Sequence, residues 1–189
     1  IDRISPEAPV PVLSVEREKH MLGGAGNVVA NMAALGARPI LVAAVGNDSA
    51  GRDVAQQLSD LGIAPQLVIA EDRMTTVKSR FVCGSQQMLR VDREKTASLI
   101  VDLENELLNK VQEAMPSADV VVLSDYKKGV LSDGVVKKIM ALAKAKGKPV
   151  IVDPKGHDFS RYSGADFITP NRKELETATG MKALTNDDV

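Results

Sequence analysis

The sequence predicts an α/β fold in which a mostly parallel β-sheet is flanked by helices and carries a small β-sheet lid. Continuous apolar runs at residues 40–45 and 120–123 alternate with segments of helical periodicity, as expected for strands buried on both faces of a parallel sheet. Between these two α/β blocks, residues 75–83 and 87–92 read as strands joined near Gly84. This middle segment predicts a hairpin.

In the first block, helices are predicted on either side of the strand at residues 40–45. One covers residues 25–35 and ends before Gly36, and the other begins near Ser49 and ends before Gly62, because glycine often follows the last turn of a helix. The second helix is expected to bury one face, formed by Val54, Leu58 and Leu61.

In the second block, helical and strand-like segments alternate with short turns. The predicted elements are helices at about 101–115, 132–146 and from 171, and strands at 120–123, 150–152 and 167–168. Residues 9–16 also resemble a strand, whose two prolines restrict its early part to an edge or a bulge. This opening strand could join the hairpin as part of the lid.

Composition limits the possible partners. The 189 residues include 24 Lys and Arg against 25 Asp and Glu, a net charge of −1, so no global field attracts nucleic acid or an anionic membrane. The apolar runs are too short to span a bilayer. The single cysteine, Cys83, cannot form an intramolecular disulfide, so we expect a reduced, cytoplasmic setting.

Both ends of the chain lead us to expect a longer natural protein. Ile1 rather than Met opens an irregular segment, and residues 185–189 stop in a polar stretch with no closing strand. The length itself suits one α/β unit with a small appendage.

A ligand site is expected at the carboxyl ends of the strands, where loops and helix N-termini present unsatisfied N–H groups. Polar or Gly/Pro-rich segments follow four of the predicted strands, at residues 46–48, 124–129, 153–156 and 169–171. They include Asp125 and Asp153, which either bind hydroxyls or a metal or cap the turns that follow.

A glycine-rich turn at residues 23–27 opens the first helix. Its backbone can approach a ligand closely, and Asn27 offers a donor and an acceptor to a sugar hydroxyl. Alternatively, the turn is a tight helix start with a solvated Asn27. A dinucleotide-binding fingerprint is disfavoured because Val29 occupies the position of its third glycine.

Three cations of the hairpin are candidates for a phosphate site. Lys78, Arg80 and Arg90 could hold a phosphate together, because converging cations bind a dianion strongly; the alternative is a solvated face. Alternation places Lys78 and Arg80 on one face and Arg90 with Asp92 on another.

Further along the chain, Asn171 and Glu174 have the spacing of a helix capping box. The same helix start could steady a nucleotide phosphate or a magnesium-bound water. Lys155, just after a strand, could meet a transferring phosphoryl group or remain a surface lysine.

These motifs together resemble a known pattern over essentially the whole chain. The glycine turn at residues 23–27, with Gly36 and Gly46 after it, is similar to the N-terminal signature of ribokinase-like carbohydrate kinases of the phosphofructokinase B type, although Val29 stands where that signature prefers a small residue. Residues 171–174 look like the family's Asn-x-x-Glu motif. The resemblance implies a ribokinase-like fold and phosphoryl transfer from ATP with Mg²⁺.

Residues 3–12, 123–129 and 152–156 are similar to the D-glycero-β-D-manno-heptose 7-phosphate kinases of bacterial lipopolysaccharide precursor synthesis, which occur alone or fused to an adenylyltransferase. This finer resemblance implies transfer of the ATP γ-phosphoryl group to the anomeric hydroxyl, giving the 1,7-bisphosphate. It also implies that the lid covers the sugar and often forms a dimer contact, hence a homodimer.

The resemblance assigns site residues by their position in these motifs. The sugar hydroxyls would be held by Gly23, Gly24 and Asn27, and the existing phosphate of the substrate by Lys78, Arg80 and Arg90. The ATP phosphates would be faced by Lys155, Asn171, Arg172, Lys173 and Glu174, with Glu174 also reaching Mg²⁺ through water.

One departure from the family pattern bears on catalysis. The family's catalytic base is an aspartate in a Gly-Ala-Gly-Asp motif, and no such motif occurs in these residues; the aspartate-bearing first strand expected before the lid is missing too. We therefore expect residues 1–189 to be the N-terminal part of one kinase domain, with lid strands at about 9–16 and 74–93 and without the C-terminal ATP-binding portion. Alone, this fragment should be inactive.

Two other functions remain open. A related kinase of the same family would act on fructose, a fructose phosphate, adenosine or another nucleoside. A non-catalytic α/β module would bind a sugar or a nucleotide without turnover. A nicotinamide-dependent dehydrogenase is a more distant third because of Val29.

Overall fold

The computed structural model describes residues 3–4, 7–8 and 11–182. Its strands are β1 (Arg3–Ile4), β2 (Pro11–Val12), β3 (Leu41–Gly46), β4 (Pro65–Ala70), β5 (Val77–Cys83), β6 (Gln86–Arg93), β7 (Val121–Ser124), β8 (Val150–Asp153) and β9 (Phe167–Ile168). Its α-helices are α1 (Gly24–Ala34), α2 (Ser49–Asp60), α3 (Val101–Ala114), α4 (Asp133–Ala145) and α5 (Arg172–Thr179). The predicted helices are therefore confirmed to within one or two residues.

Three helices begin at side chains that accept a hydrogen bond from the first turn. Asp48 accepts from the N–H of Gly51 at 2.8 Å, and Ser132 accepts from that of Val135 at 3.2 Å. Asn171 caps α5 in the same way. Each cap satisfies a donor that has no partner within its own helix, which is why these helices begin where they do.

The parallel strands form two sections of sheet. β3 pairs with β4, and β8 lies between β7 and β9, all in parallel. A groove of about 2790 Å³ is lined by residues of both β3 and β7. A mostly parallel sheet flanked by helices is confirmed, but the expectation of one continuous layer is corrected, because β3 and β7 are not hydrogen-bonded to each other in the part of the chain that the structure describes.

Helices cover both faces of β3. Val42 packs against the main core, which includes residues of α3 and α4, whereas its neighbour Leu41 packs in a second core with α1 and α2. Burial on both faces explains the continuous apolar run of this strand. In α2, Val54 and Leu58 face the second core as predicted. Leu61 does not, because it lies just past the last helical turn and is 47% exposed.

The main core lies against β7 and β8. Helix α4 gives it five buried side chains, Val135, Val136, Ile139, Met140 and Ala143. The other face of this helix is polar, as expected for a helix that covers a sheet. Among the described residues, no helix is long and apolar enough to cross a membrane.

β5 and β6 form the predicted antiparallel hairpin, with a two-residue turn at 84–85. The register pairs Lys78 with Asp92 and Arg80 with Arg90, so all four side chains share one face. The prediction that Arg90 and Asp92 lie on another face is wrong. Alternation along each strand cannot show which faces of two strands coincide, since the turn and the register decide that.

The opening strand is shorter than predicted. β2 pairs antiparallel with β1, with Arg3 opposite Val12, and the hairpin is a separate two-stranded sheet. Residues 9–10 lie outside the described residues. In the described part of the chain, the opening strand therefore does not extend the hairpin.

Asp48 anchors the base of the hairpin as well as helix α2. Its second carboxylate oxygen accepts the N–H of Thr75 at 2.9 Å, and the Thr75 hydroxyl accepts the N–H of Gly46 at 2.9 Å. Burial alone would raise the pKa of Asp48, but the hydrogen bonds from Thr75 and Gly51 outweigh burial and lower it. The carboxylate is therefore ionised at neutral pH and joins the helix, the end of β3 and the entry to the hairpin.

Replacing Asp48 by alanine should lower the free energy of unfolding by about 2 kcal/mol, because the change removes a helix cap and a second hydrogen bond to a backbone N–H. Ser132→Ala is the matched control, since it removes only the cap of α4 and should cost about 1 kcal/mol. Urea denaturation followed by circular dichroism measures both. Equal losses in the two variants would contradict the anchoring role of Asp48.

Candidate functional site

The loops that follow β7 and β8 lie side by side. Ser124 pairs with Asp153 at the ends of these strands, and the N–H of Asp125 donates to the carbonyl oxygen of Asp153 at 3.0 Å. Because the strands are parallel, the residues that follow them share one edge of the sheet. This is the edge at which the sequence predicts a ligand site.

Asp125 holds the loop after β7 in place. It is only 4% exposed; its Oδ1 accepts the N–H of Lys127 at 2.7 Å, and its Oδ2 accepts from the Tyr162 hydroxyl at 2.6 Å and from Arg161 at 3.2 Å. Burial and the hydrogen bond to Asp125 raise the pKa of Tyr162 to about 12, so the hydroxyl keeps its proton and donates it. Of the two roles open for Asp125, these contacts favour the structural one.

Lys155 and the start of α5 are joined by one carboxylate. Glu174 Oε1 accepts from Lys155 Nζ at 2.7 Å, and Glu174 Oε2 accepts the N–H of Asn171 at 3.0 Å. The N–H of Glu174 donates in turn to the Asn171 side chain at 3.0 Å, which completes a capping box. Burial would raise the pKa of Glu174, but Lys155 and Asn171 outweigh burial and lower it.

A further carboxyl group lies close to this pair. The pKa of Asp153 is raised, first by burial and then by the negative charge of Glu174 and Asp125, with Lys155 opposing them. Among the described residues, no group of three or more His, Cys, Asp or Glu side chains could hold a metal ion.

The glycine turn meets the loop after β7. Gly24 is the first residue of α1 and has a φ of +51°, and a Cβ placed on it would lie 3.5 Å from Cε2 of the Tyr126 ring. Gly23, Gly24 and Tyr126 line the same groove. Asn27 is exposed on the second turn of α1 and is not among the described residues that line the groove.

A continuous series of neighbours links the glycine turn to the start of α5. Tyr126 lies against Gly24. The residue before it, Asp125, accepts from the Tyr162 hydroxyl at 2.6 Å, and the same hydroxyl accepts the N–H of Lys155 at 3.4 Å. Lys155 in turn binds Glu174. One series of contacts at the carboxyl ends of β7 and β8 therefore joins the glycine turn to the Asn-x-x-Glu motif.

The hairpin cations differ in their surroundings. Lys78 binds Asp92 at 2.8 Å and lies 3.6 Å from Glu94, and Arg90 binds Asp92 at 3.0 Å. Lys78 and Arg80 line the groove, whereas Arg90 is not among the described groove residues. Their shared face makes a joint phosphate site geometrically possible, but two of the three cations already have carboxylate partners.

Comparison with known proteins decides the family. The family profile described as pfkB family carbohydrate kinase matches residues 1–189. The chain belongs to the pfkB family of carbohydrate kinases. This pfkB-family chain is 49% identical over 190 residues to the bifunctional protein HldE of Paramagnetospirillum magneticum, and 53% identical over 187 residues to that of Caulobacter vibrioides.

The two alignments cover 100% and 96% of the pfkB-family chain but 39% and 37% of the relatives. The chain thus spans less than two fifths of the length of these relatives. Among solved structures, the tetrameric inhibited form of phosphofructokinase-2 from Escherichia coli has a TM-score of 0.72 at 21% identity, covering 93% of this chain and 60% of that chain. A possible 1-phosphofructokinase from Thermotoga maritima has a TM-score of 0.66 at 17% identity, covering 95% and 61%. The predicted ribokinase-like fold is confirmed.

Two groove residues of the pfkB-family chain were not marked as site residues by sequence patterns. Tyr126 lies within a polar loop segment, and only its contact with Gly24 reveals it. Arg93 lines the groove and contributes its positive charge to the lowered pKa of Asp48. Alternation from Val91 places Arg93 on the hairpin face opposite Arg90, but no sequence pattern marks that face as part of a site.

Proposed function

We propose that this chain forms the sugar-binding part of an ATP-dependent kinase that phosphorylates D-glycero-β-D-manno-heptose 7-phosphate at the anomeric hydroxyl, giving the 1,7-bisphosphate for lipopolysaccharide core synthesis in the cytoplasm. The observation that carries this proposal is the series of contacts that starts at Gly24 and Tyr126, continues through the loops after β7 and β8, and ends at Lys155 and Glu174. In a chain of this kinase family, these contacts would bring a turn suited to sugar hydroxyls close to a helix start suited to phosphates.

The two ends of this series of contacts would have different roles. Gly23 and Gly24 would offer close backbone contact to the sugar hydroxyls, and Asn27 would supply an amide from the next turn of α1. Lys155 and the N-terminal turn of α5 would face the ATP phosphates, where a cation and the positive end of the helix dipole favour an anion. Positioning and charge neutralisation supply most of the catalysis in phosphoryl transfer.

The start of α5 would also steady Mg²⁺. Magnesium usually keeps several waters and binds substrate phosphates, and it neutralises charge on the phosphoryl group. Both Glu174 oxygens already accept a hydrogen bond, but each has a second lone pair. Glu174 can therefore accept from a magnesium-bound water without losing Lys155, and Arg172 and Lys173 would add positive charge at the same turn.

The substrate phosphate would be held by the hairpin. Lys78, Arg80 and Arg90 share one face. Arg80 is the best placed of the three, since it lines the groove and the structure gives it no carboxylate partner among the described residues. Arg90 lies directly across the hairpin from Arg80 but binds Asp92.

Arg80→Ala, in a full-length protein that contains these residues, should raise the KM for heptose 7-phosphate by about 10- to 100-fold, since a charge-assisted hydrogen bond contributes about 1.5–3 kcal/mol. Arg52→Ala is the matched control and should change it less than about threefold, because Arg52 is exposed on α2 and is not among the described groove residues. Steady-state assays with varied sugar and saturating ATP measure both. Equal effects of the two variants would contradict the assignment of Arg80.

The proposed homodimer would use exposed apolar side chains of the hairpin that do not line the groove. Leu89 is 50% exposed and is not among the described groove residues. An exposed apolar face on a two-stranded sheet suits contact with a second copy.

A substrate panel tests the proposed function. The full-length protein should consume ATP with heptose 7-phosphate at least about tenfold more efficiently than with fructose, fructose 6-phosphate or adenosine, a margin of about 1.4 kcal/mol in transition-state binding. Preference for one of the competitors would favour the related kinases instead. Sugar binding with no turnover on any substrate would favour a non-catalytic module. Residues 1–189 alone should bind but not turn over.

A further inference from the structure

Tyr126 is an aromatic side chain that none of the proposed roles uses. It is 43% exposed, although the residue before it is almost fully buried. Its ring lies against Gly24, and both residues line the groove. Large rings that stay accessible inside a groove are available to a ligand, and aromatic side chains commonly line small-molecule sites.

The loop that carries Tyr126 is fixed on both sides. Asp125 precedes Tyr126 in the sequence, and its side chain accepts the N–H of Lys127, which follows Tyr126. Asp125 itself is held by Tyr162 and Arg161. A binding residue gains from such support, because a ring already in its bound position loses little freedom when the ligand arrives.

The position of the ring suits the chemistry of a sugar. A sugar ring presents hydroxyl groups at its edge and C–H groups on its faces. The backbone at Gly23 and Gly24, which line the groove, can serve the hydroxyl groups but offers nothing apolar to the faces. Tyr126 places an aromatic ring against this turn.

We propose that Tyr126 is a specificity-determining residue of the sugar site, whose ring packs against the C–H face of the bound sugar beside the glycine turn. The proposal rests on the proposed function, since it assumes that the sugar binds at residues 23–27. The ring rather than the hydroxyl provides the contact. Phenylalanine should therefore replace Tyr126 in binding, and alanine should not.

The composition of the chain provides a direct probe. It has two tyrosines and no tryptophan. Tyr162 is 2% exposed and bonded to Asp125, so it is shielded from ligand. A change in tyrosine fluorescence when heptose 7-phosphate is added would therefore report on Tyr126.

The experiment compares the 189-residue chain with its Tyr126→Phe and Tyr126→Ala variants by calorimetric titration and fluorescence. We expect Tyr126→Phe to bind heptose 7-phosphate within about twofold of the unchanged chain but to lose the fluorescence response, and Tyr126→Ala to bind about tenfold more weakly, which is typical of a lost aromatic contact and its buried area. Circular dichroism should be the same for all three.

Two results would overturn the proposal alone: unchanged affinity in Tyr126→Ala, or a fluorescence response that persists in Tyr126→Phe. If the unchanged chain bound neither heptose 7-phosphate nor fructose 6-phosphate, the assignment of the sugar site would fail and Tyr126 with it. The two failures are thus distinguishable.

Discussion

Replacing Gly129 by alanine should lower the free energy of unfolding by about 3–5 kcal/mol, among the largest effects of any single methyl group in this chain. Gly129 has a φ of +76°, a conformation that L-residues rarely adopt. A Cβ at this position would overlap the carbonyl group of Ala97 and lie 2.8 Å from the carbonyl oxygen of Thr96. The overlap is with backbone atoms, so no side-chain rotation can relieve it.

The backbone around Gly129 cannot easily move away. The carbonyl oxygen of Gly129 accepts the N–H of Leu99 at 3.1 Å. Arg73 donates to the carbonyl oxygens of Lys128, at 2.7 Å, and of Ala97. The segment after the hairpin and the loop after β7 are therefore bound to each other from both sides, and separating them would break these hydrogen bonds.

Gly147→Ala is the matched control for Gly129→Ala. Gly147 also has a positive φ, +63°, but a Cβ there would meet nothing within 4 Å. The control retains the conformational strain without the overlap and should cost about 1 kcal/mol. Guanidinium denaturation measures both losses of unfolding free energy. The two variants are compared with the same slope of free energy against denaturant concentration. Similar losses in the two variants would show that the loop relaxes more easily than this packing allows.

The helices were predictable because their signals are local. Asp48, Ser132 and Asn171 cap the helices that follow them, and each cap depends on residues within three positions of it in the sequence. The pairing of the parallel strands was harder to predict from the sequence than the helices. β4 begins with Pro65 and Gln66 and has only a short apolar run, and its pairing with β3 depends on a contact between distant residues.

The same contrast between local signals and contacts of distant residues applies to the candidate site. Gly23, Lys155 and Glu174 could be proposed from the sequence because glycine turns and strand ends follow general rules for ligand binding. The shared face of Arg80 and Arg90 could not be read from alternation within one strand, because register depends on the turn between the strands. Tyr126 could not be proposed from the sequence, because only its contact with Gly24, 102 positions away, places it beside the glycine turn.

Lys155→Ala should reduce the kcat of a full-length protein by about 10²- to 10³-fold, which is typical for the loss of one group that stabilises transition-state charge. It should scarcely change the free energy of unfolding, because Lys155 is half exposed and its ion pair with Glu174 is of a kind that contributes about 0–1 kcal/mol. The two measurements separate a catalytic role from the structural role of the capping box. Initial rates at saturating ATP and sugar, and urea denaturation, measure them.

Lys144→Ala controls for the loss of positive charge. Lys144 lies in the last turn of α4, near the amino end of β8, whereas Lys155 follows the carboxyl end of the same strand. The control should change neither rate nor stability. Glu174→Gln adds a second test, because glutamine can still accept from the N–H of Asn171 and keep the capping box while losing the charge that holds Lys155. If Lys155→Ala retained its kcat while Glu174→Gln lost activity, the carboxylate rather than the lysine would be the group that serves the phosphoryl transfer.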